Sequence, residues 1–236
     1  MKETGKDISV SGSVLKIVAV VTMIVDHIAL LLLEPSKSPE STFFIMRTVG
    51  RMAFPIFAFL LVEGFVYTSD RKKYLLRLLV TGILAECFWQ LNRMEGHNVM
   101  FTLSIGLLAL MGIEGIIKDD EKWTCSMKKS LSVTGILIVG VIISELLQVD
   151  YTARGFLTVV MFYLCRDMPV MAVAGVMTIL ILPLEKFGGT ATAMMLILLY
   201  NHTRGFIRGK KMQYAFYAIY PAQFAIFYLI RLITQQ

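Results

Sequence analysis

Uninterrupted apolar runs of about 18 or more residues recur along almost the whole chain, the length a bilayer-spanning helix requires. Water cannot be the main solvent of such a chain. Of its 236 residues, 56% are hydrophobic and 17% charged, against roughly 45–50% and about 25% for a soluble domain. The expected fold is therefore all-α: a polytopic transmembrane bundle of about nine helices, eight to ten by different cuts. The spans fall near Val14–Leu33, Gly50–Thr68, Tyr74–Gln90, Asn98–Ile117, Leu131–Leu147, Thr152–Cys165, Pro169–Leu184, Thr190–Asn201 and Gln213–Ile233. The connections are too short to fold separately, so residues 1–236 read as one integral-membrane domain. The opening MKETGKDISVSGS has no small-residue cleavage site before a full-length span and reads as a retained start.

Cys87, Cys125 and Cys165 lie far apart, without a CxxC or a histidine at ligand spacing, so neither a disulfide framework nor a metal site is expected. The net charge of +6 does not call for nucleic acid, because basic residues gather in the cytoplasmic loops of membrane proteins. About fourteen Lys and Arg fall on the N-terminal side of the spans and about five on the other, plus Arg47 and Arg51 where helix 2 begins, which sets the N-terminus in the cytoplasm. The Lys37, Arg93, Arg154, Lys186 and Arg231 side then faces outward.

Ionisable groups at a helix centre cost roughly 2.5–3.5 kcal/mol on insertion scales, so each needs a reason. Helix 1 carries Asp26 and His27, the latter about 13 residues in, or roughly 20 Å from the inner surface. Lys16, Met23 and His27 share one face of it. Arg47 and Arg51 stand where helix 2 begins, one turn apart, and the deeper Arg51 is the expected partner of Asp26 or Glu86. Glu86 and Gln90 end helix 3, Asn98 and Thr102 start helix 4, and Glu145, Gln148, Tyr151 and Arg154 border helices 5 and 6. Taken singly, such a residue reads as paired or snorkelling. Taken together they reach a similar outer depth, which points to an outward-opening polar cavity where His27, Arg47 or Arg51, Glu86 and Asn98 converge.

A neutral imidazole is the natural proton acceptor near pH 7. Asp26 diverges from His27 by about 100° around the helix, so Asp26 is free to meet an arginine while another group orients the ring. His97 and His202 read as surface residues, and the 15 methionines as packing. GxSxG, HExxH and Walker motifs are absent. On the inner face, Lys16, Arg71, Lys72, Lys73, Arg77, Arg204, Arg208, Lys210 and Lys211 satisfy the positive-inside rule and also suit a phosphate-rich ligand.

The segments KIVAVVTMIVDHIAL, GRMAFPIFAFLLVEGF, DRKKYLLRLLVTGILAE, NVMFTLSIGLLAL, DYTARGFLTVVMFYL and LLYNHTRG, in this order, resemble the TraX family over nearly the whole chain. That family is named for a conjugation protein that acetylates the N-terminus of pilin, and it is similar in layout to acyltransferase family 3 and heparan glucosaminide acetyltransferases. The resemblance implies acyl transfer in a bacterial cytoplasmic membrane, from cytoplasmic acyl-CoA, most simply acetyl-CoA, to an amine or hydroxyl acceptor met from outside. It makes His27 the catalytic base, Asp26 its companion, and Arg47 and Arg51 the site cations. Glu86, Gln90, Asn98 and Thr102 would serve the acceptor or the oxyanion, and a tunnel would lead from His27 to the basic inner face. Two positions depart from the family pattern: Gln223 stands in FYAIYPAQF where a histidine is expected, and Arg154 where an aromatic is common. A pilin acceptor does not follow from the sequence, and a homo-oligomer is compatible with it. A proton-coupled transporter using Asp26, His27 and Glu86, and a non-catalytic membrane scaffold, stay open as alternatives; no inverted repeat favours the former.

Overall fold

The computed structural model describes residues 9–33, 40–117, 127–166 and 187–234, which form helices joined by short connections. In chain order these are α1 (Gly12–Leu32), α2 (Glu40–Gly50), α3 (Ala53–Tyr67), α4 (Arg71–Leu91), α5 (Val99–Ile117), α6 (Met127–Leu146), α7 (Thr152–Leu164), α8 (Phe187–Leu198) and α9 (Lys210–Thr234). The expected span at Pro169–Leu184 lies outside the described residues. Among the described residues, six segments are long and apolar enough to cross a membrane, α2 and α3 counting together as Glu40–Tyr67. The chain is a multi-pass membrane protein.

Helices dominate because a bilayer leaves every unpaired backbone group unsatisfied, and a helix pairs them within one segment. α6 shows the consequence most plainly. Among its residues only Gly140 and Ser144 are buried, one turn apart on a single face. Leu131, Ile138, Val139, Ile142 and Leu146 remain exposed, as suits a lipid-facing helix. A Cβ on Gly140 would collide with the Phe156 ring, so the missing side chain lets α6 close on α7.

The expected second span needs correcting. Instead of one helix from Gly50, α2 and α3 meet at a break over Arg51 and Met52. Pro55 has no N–H to give the Arg51 carbonyl, and it is tolerated at the third residue of α3, where amides lack intrahelical partners anyway. Just before the break the turn tightens, with the Met52 amide donating to the Val49 carbonyl at 3.1 Å. Arg47 therefore belongs to α2 and Arg51 to the break, and the two engage different partners.

Two ends of the bundle can be distinguished. At one, the start of α1 is tied to the connection after α8: Ser13 Oγ donates to the Arg204 carbonyl at 2.8 Å and accepts from the Ile207 amide at 2.7 Å. This end also gathers the start of α4, the end of α5 and the start of α9, and is called the basic end. At the other lie the end of α1, the α2–α3 break, residues 92–98 and residues 147–151. There the His97 amide donates to the Gln148 carbonyl at 3.0 Å, and the Asp150 amide to the His97 carbonyl at 2.7 Å.

Candidate functional site

Asp26 and His27 are each only 8% exposed, on the last turns of α1. Arg47 reaches across from α2, its Nη1 donating to Asp26 Oδ2 at 2.6 Å. Gly50, one turn further, permits that approach, since a Cβ there would overlap the Asp26 carboxyl. The expected partnership of Arg51 with Asp26 or Glu86 is thus corrected. Arg51 Nη1 donates to the Tyr151 hydroxyl at 2.9 Å, and its guanidinium lies 5.4 Å from that ring's centre. Tyr151 is fixed in turn by stacking on Phe54, centroids 4.0 Å apart and planes at 14°.

His27 meets α9 on its other side. Its ring lies 4.7 Å from Phe224 and 6.4 Å, edge-on, from Tyr220. Pro221 sits between those residues and withholds one helical hydrogen bond from the Tyr217 carbonyl. Gln223 is buried there too. His27 Nδ1, Asp26 Oδ1 and Arg51 Nε are buried with no close hydrogen bond among the described residues, while the Gln223 amide interacts with His27 and the Tyr220 hydroxyl with the Val99 backbone only at longer range. Each such atom costs about 1–3 kcal/mol. Their grouping around one imidazole makes this the candidate site.

Of these residues, Asp26, His27 and Arg51 border a cavity of about 520 Å³ whose wall also includes Arg47, Trp89, Arg93, Glu95, Asp150 and Arg231. A smaller apolar pocket of about 40 Å³ continues below His27 between Met23, Phe57 and Leu103. Among the described residues, apolar packing stands where the tunnel to the basic end is expected. Leu15, Ala19, Phe59, Val62, Leu107 and Leu110 fill the interior along that direction in one buried cluster.

Glu86, Gln90 and Asn98 do not join His27, contrary to the convergence expected from depth. Glu86 accepts from Gln90 Nε2 at 2.7 Å and Asn98 Nδ2 at 2.6 Å, and pairs with His97 Nδ1 at 2.8 Å. Asn98 also donates to the Gly82 carbonyl at 2.9 Å and caps α5 through the Met100 amide at 3.1 Å. This network holds residues 92–98 against α4. Thr102 reaches the site indirectly, its hydroxyl donating to the Asp150 carbonyl.

The sequence reading passed over Asp150. It lies in the connection between α6 and α7, on the wall of both cavities. Burial pushes its carboxyl up to about 6, against the opposing pull of Arg51. The only sequence signal was an acid immediately before Tyr151 and a helix start.

At the basic end, Lys16 is half-buried, whereas Lys72, Arg204, Arg208, Lys210 and Lys211 are exposed. Arg71 is engaged: it pairs with Glu114 and covers the Phe65 ring at 4.4 Å. Lys73 pairs with Asp70 at 2.9 Å, and Arg77 lies 5.5 Å from the Tyr74 ring centre. His97 and His202 are both exposed. Cys87 and Cys165 are free thiols, and no group of metal-ligating side chains occurs among the described residues.

The arrangement defines a class: a multi-pass helical membrane protein with a histidine-centred polar cavity at one end of its bundle. The chain belongs to the TraX family, whose model, described as "TraX protein", matches residues 11–231. It is also similar to a Dichelobacter nodosus protein named "Probable fimbrial assembly protein FimC, serogroup H1". The two are 30% identical over 243 residues, covering 94% of this chain and 96% of the relative. No solved structure matches.

Proposed function

We propose that this protein is a membrane acyltransferase that moves an acetyl group from cytoplasmic acetyl-CoA to an amine or hydroxyl acceptor. The observation that carries the reading is His27: a buried imidazole whose Nδ1 makes no close hydrogen bond among the described residues, on the wall of a polar cavity large enough for a small acceptor. On the orientation favoured by loop charge, the basic end is cytoplasmic and the cavity opens outward. The exposed Arg204, Arg208, Lys210 and Lys211 then suit the donor's phosphates. Its acyl arm would follow the apolar pocket below His27, with Met23, Phe57 and Leu103 moving aside.

In this mechanism His27 takes the proton of the acceptor N–H or O–H as that atom attacks the thioester carbonyl. The tetrahedral oxyanion is stabilised by the Arg51 guanidinium, whose Nε makes no close hydrogen bond among the described residues. Collapse expels the CoA thiolate, which recovers the proton from the imidazolium. Asp26 is occupied by Arg47, so its role is to anchor α2 against α1 and hold the rim of the cavity. The relative's name connects that protein with fimbrial assembly, which makes an exported subunit with a free amine one acceptor to try. The test is transfer of labelled acetyl from acetyl-CoA to a panel of small amines and alcohols by the protein in nanodiscs. Transfer lost in His27→Ala supports the reading; no transfer to any acceptor, with no stabilisation by acetyl-CoA, defeats it.

A further inference from the structure

We infer that the molecule accommodated beside His27 carries an acidic group, a carboxylate or a phosphate, which Arg93 and Arg231 hold at the mouth of the cavity. Calling that molecule the acceptor rests on the acyl-transfer reading; the binding itself does not.

Position supplies the first argument. Among the described residues, the cavity end of the bundle carries Arg47, Arg51, Arg93, Arg154 and Arg231, and all but Arg154 line the one cavity. Basic residues are scarce on outward-facing ends. Four guanidinium groups converging there need a cause that topology does not provide.

Pairing supplies the second. The wall sets those four against three carboxylates, Asp26, Glu95 and Asp150. Asp26 is engaged by Arg47 at 2.6 Å, and Asp150 lies within the electrostatic reach of Arg51. The hydrogen bond that Arg231 makes among the described residues is to a neutral acceptor, the Asn92 carbonyl, at 3.0 Å from Nη1. That bond aims the guanidinium and leaves most of its donor fork unused. A planar fork with unused donors in a cleft matches a carboxylate or phosphate in a way an ammonium group does not.

The backbone supplies the third. Arg93 has φ 58°, a left-handed conformation, directly after the last residues of α4. Glycine is the usual occupant of that position at a helix end. An arginine there gives up roughly 1 kcal/mol of backbone preference and places a cation on the cavity wall. Strain of this kind gathers where a ligand is held.

The chain's two tryptophans are Trp89, on the cavity wall, and Trp123. A Trp123→Phe protein in phosphatidylcholine nanodiscs therefore reports the cavity through Trp89 fluorescence. Titration with sn-glycerol 3-phosphate and with succinate should give a saturable change for at least one of them, and neutral glycerol none. Arg231→Gln and Arg93→Gln should each weaken that response by about tenfold or more, the value of one charge-assisted contact. Arg93 is exposed, so its variant guards against a folding defect in Arg231→Gln, and thermal unfolding checks both. If nanodiscs containing phosphatidylglycerol suppress the response, the acidic group belongs to a lipid headgroup; if they do not, it belongs to a free molecule. No saturable response to either anion, or an equal response in both variants, overturns the proposal. Displacement of glycerol 3-phosphate by CoA also overturns it, because the arginines would then hold the donor. Since no chemistry is measured, failure here leaves the acyl-transfer reading standing, and the converse holds too.

Discussion

Arg47 Nη1 donates to Asp26 Oδ2 at 2.6 Å, and both side chains are only 12% exposed. Asp26 is the direct neighbour of His27 in sequence, yet its charge is satisfied by α2 and not by the imidazole. Removing one member of a buried pair strands the other, at a cost of about 3–5 kcal/mol. Asp26→Asn and Arg47→Gln should each lower thermal stability strongly. The double variant should be less destabilised than the two losses added together, which a double-mutant cycle in detergent will measure. Strict additivity would remove the pair from the account of how α1 and α2 are joined.

Gly50 tests the same junction by shape. A methyl group at this position meets the Asp26 carboxyl, which cannot retreat without leaving Arg47. Gly50→Ala should destabilise by about 1–3 kcal/mol, the usual range for overpacking. Gly135→Ala, where an added Cβ meets nothing within 4 Å, should be close to neutral or slightly stabilising because it sits inside α6. Comparison of the two melting temperatures checks this.

The difference between what the sequence shows and what it hides follows from geometry. Hydropathy locates α1, α4, α5 and α9 to within a few residues, because lipid demands an apolar helix of set length whatever its neighbours are. It also places Asp26, His27, Arg47 and Arg51 near one depth. Depth is a single coordinate, however. Glu86 and Asn98 share it with His27, but Glu86 on α4 pairs with His97 and Asn98, away from the cavity wall. Depth alone favours Arg51, one turn deeper than Arg47, as the partner of Asp26; at the break before Pro55 it meets Tyr151 instead. Asp150 is not legible because a carboxylate in a connection ordinarily faces water, and nothing local reveals that α6 and α7 place it on the cavity wall within the electrostatic reach of Arg51.

His27→Ala should reduce acyl transfer by about 10²–10⁴-fold, the usual worth of a general base, while acetyl-CoA still stabilises the protein in a thermal-shift assay. Activity within about tenfold of the parent would sink the assigned role.

The basic end separates docking from folding. Arg71 is committed to Glu114 and the Phe65 ring, so Arg71→Gln should lower the melting temperature. Arg204, Lys210 and Lys211 are exposed. Their joint change to Gln should raise the KM for acetyl-CoA with little effect on kcat. The difference from the parent should shrink at high salt, where exposed charges are screened. An unchanged KM would leave these residues with a topological role alone.

Asp150 gives the protein a pH signature. Its carboxyl is raised from the model-peptide 3.8 to about 6 by burial, so between those values the folded protein holds a proton that the unfolded chain has released. The sign follows by linkage: stability is greatest below about pH 4 as far as this group is concerned, and is lost as pH rises through about 6. Asp150→Asn removes that loss, so its melting temperature relative to the parent should rise from pH 4 to pH 7, with most of the change between the two values, 3.8 and about 6, and little beyond. The amide should also disturb catalysis, because the ionised carboxylate beside Arg51 is what tempers that guanidinium. If Arg51 stabilises an oxyanion, the variant should keep its affinity for acetyl-CoA while its pH–rate profile loses the inflection near 6. A melting-temperature difference that stays flat across this range would show that Asp150 is solvated in the folded protein, and its place on the cavity wall would then carry no electrostatic weight.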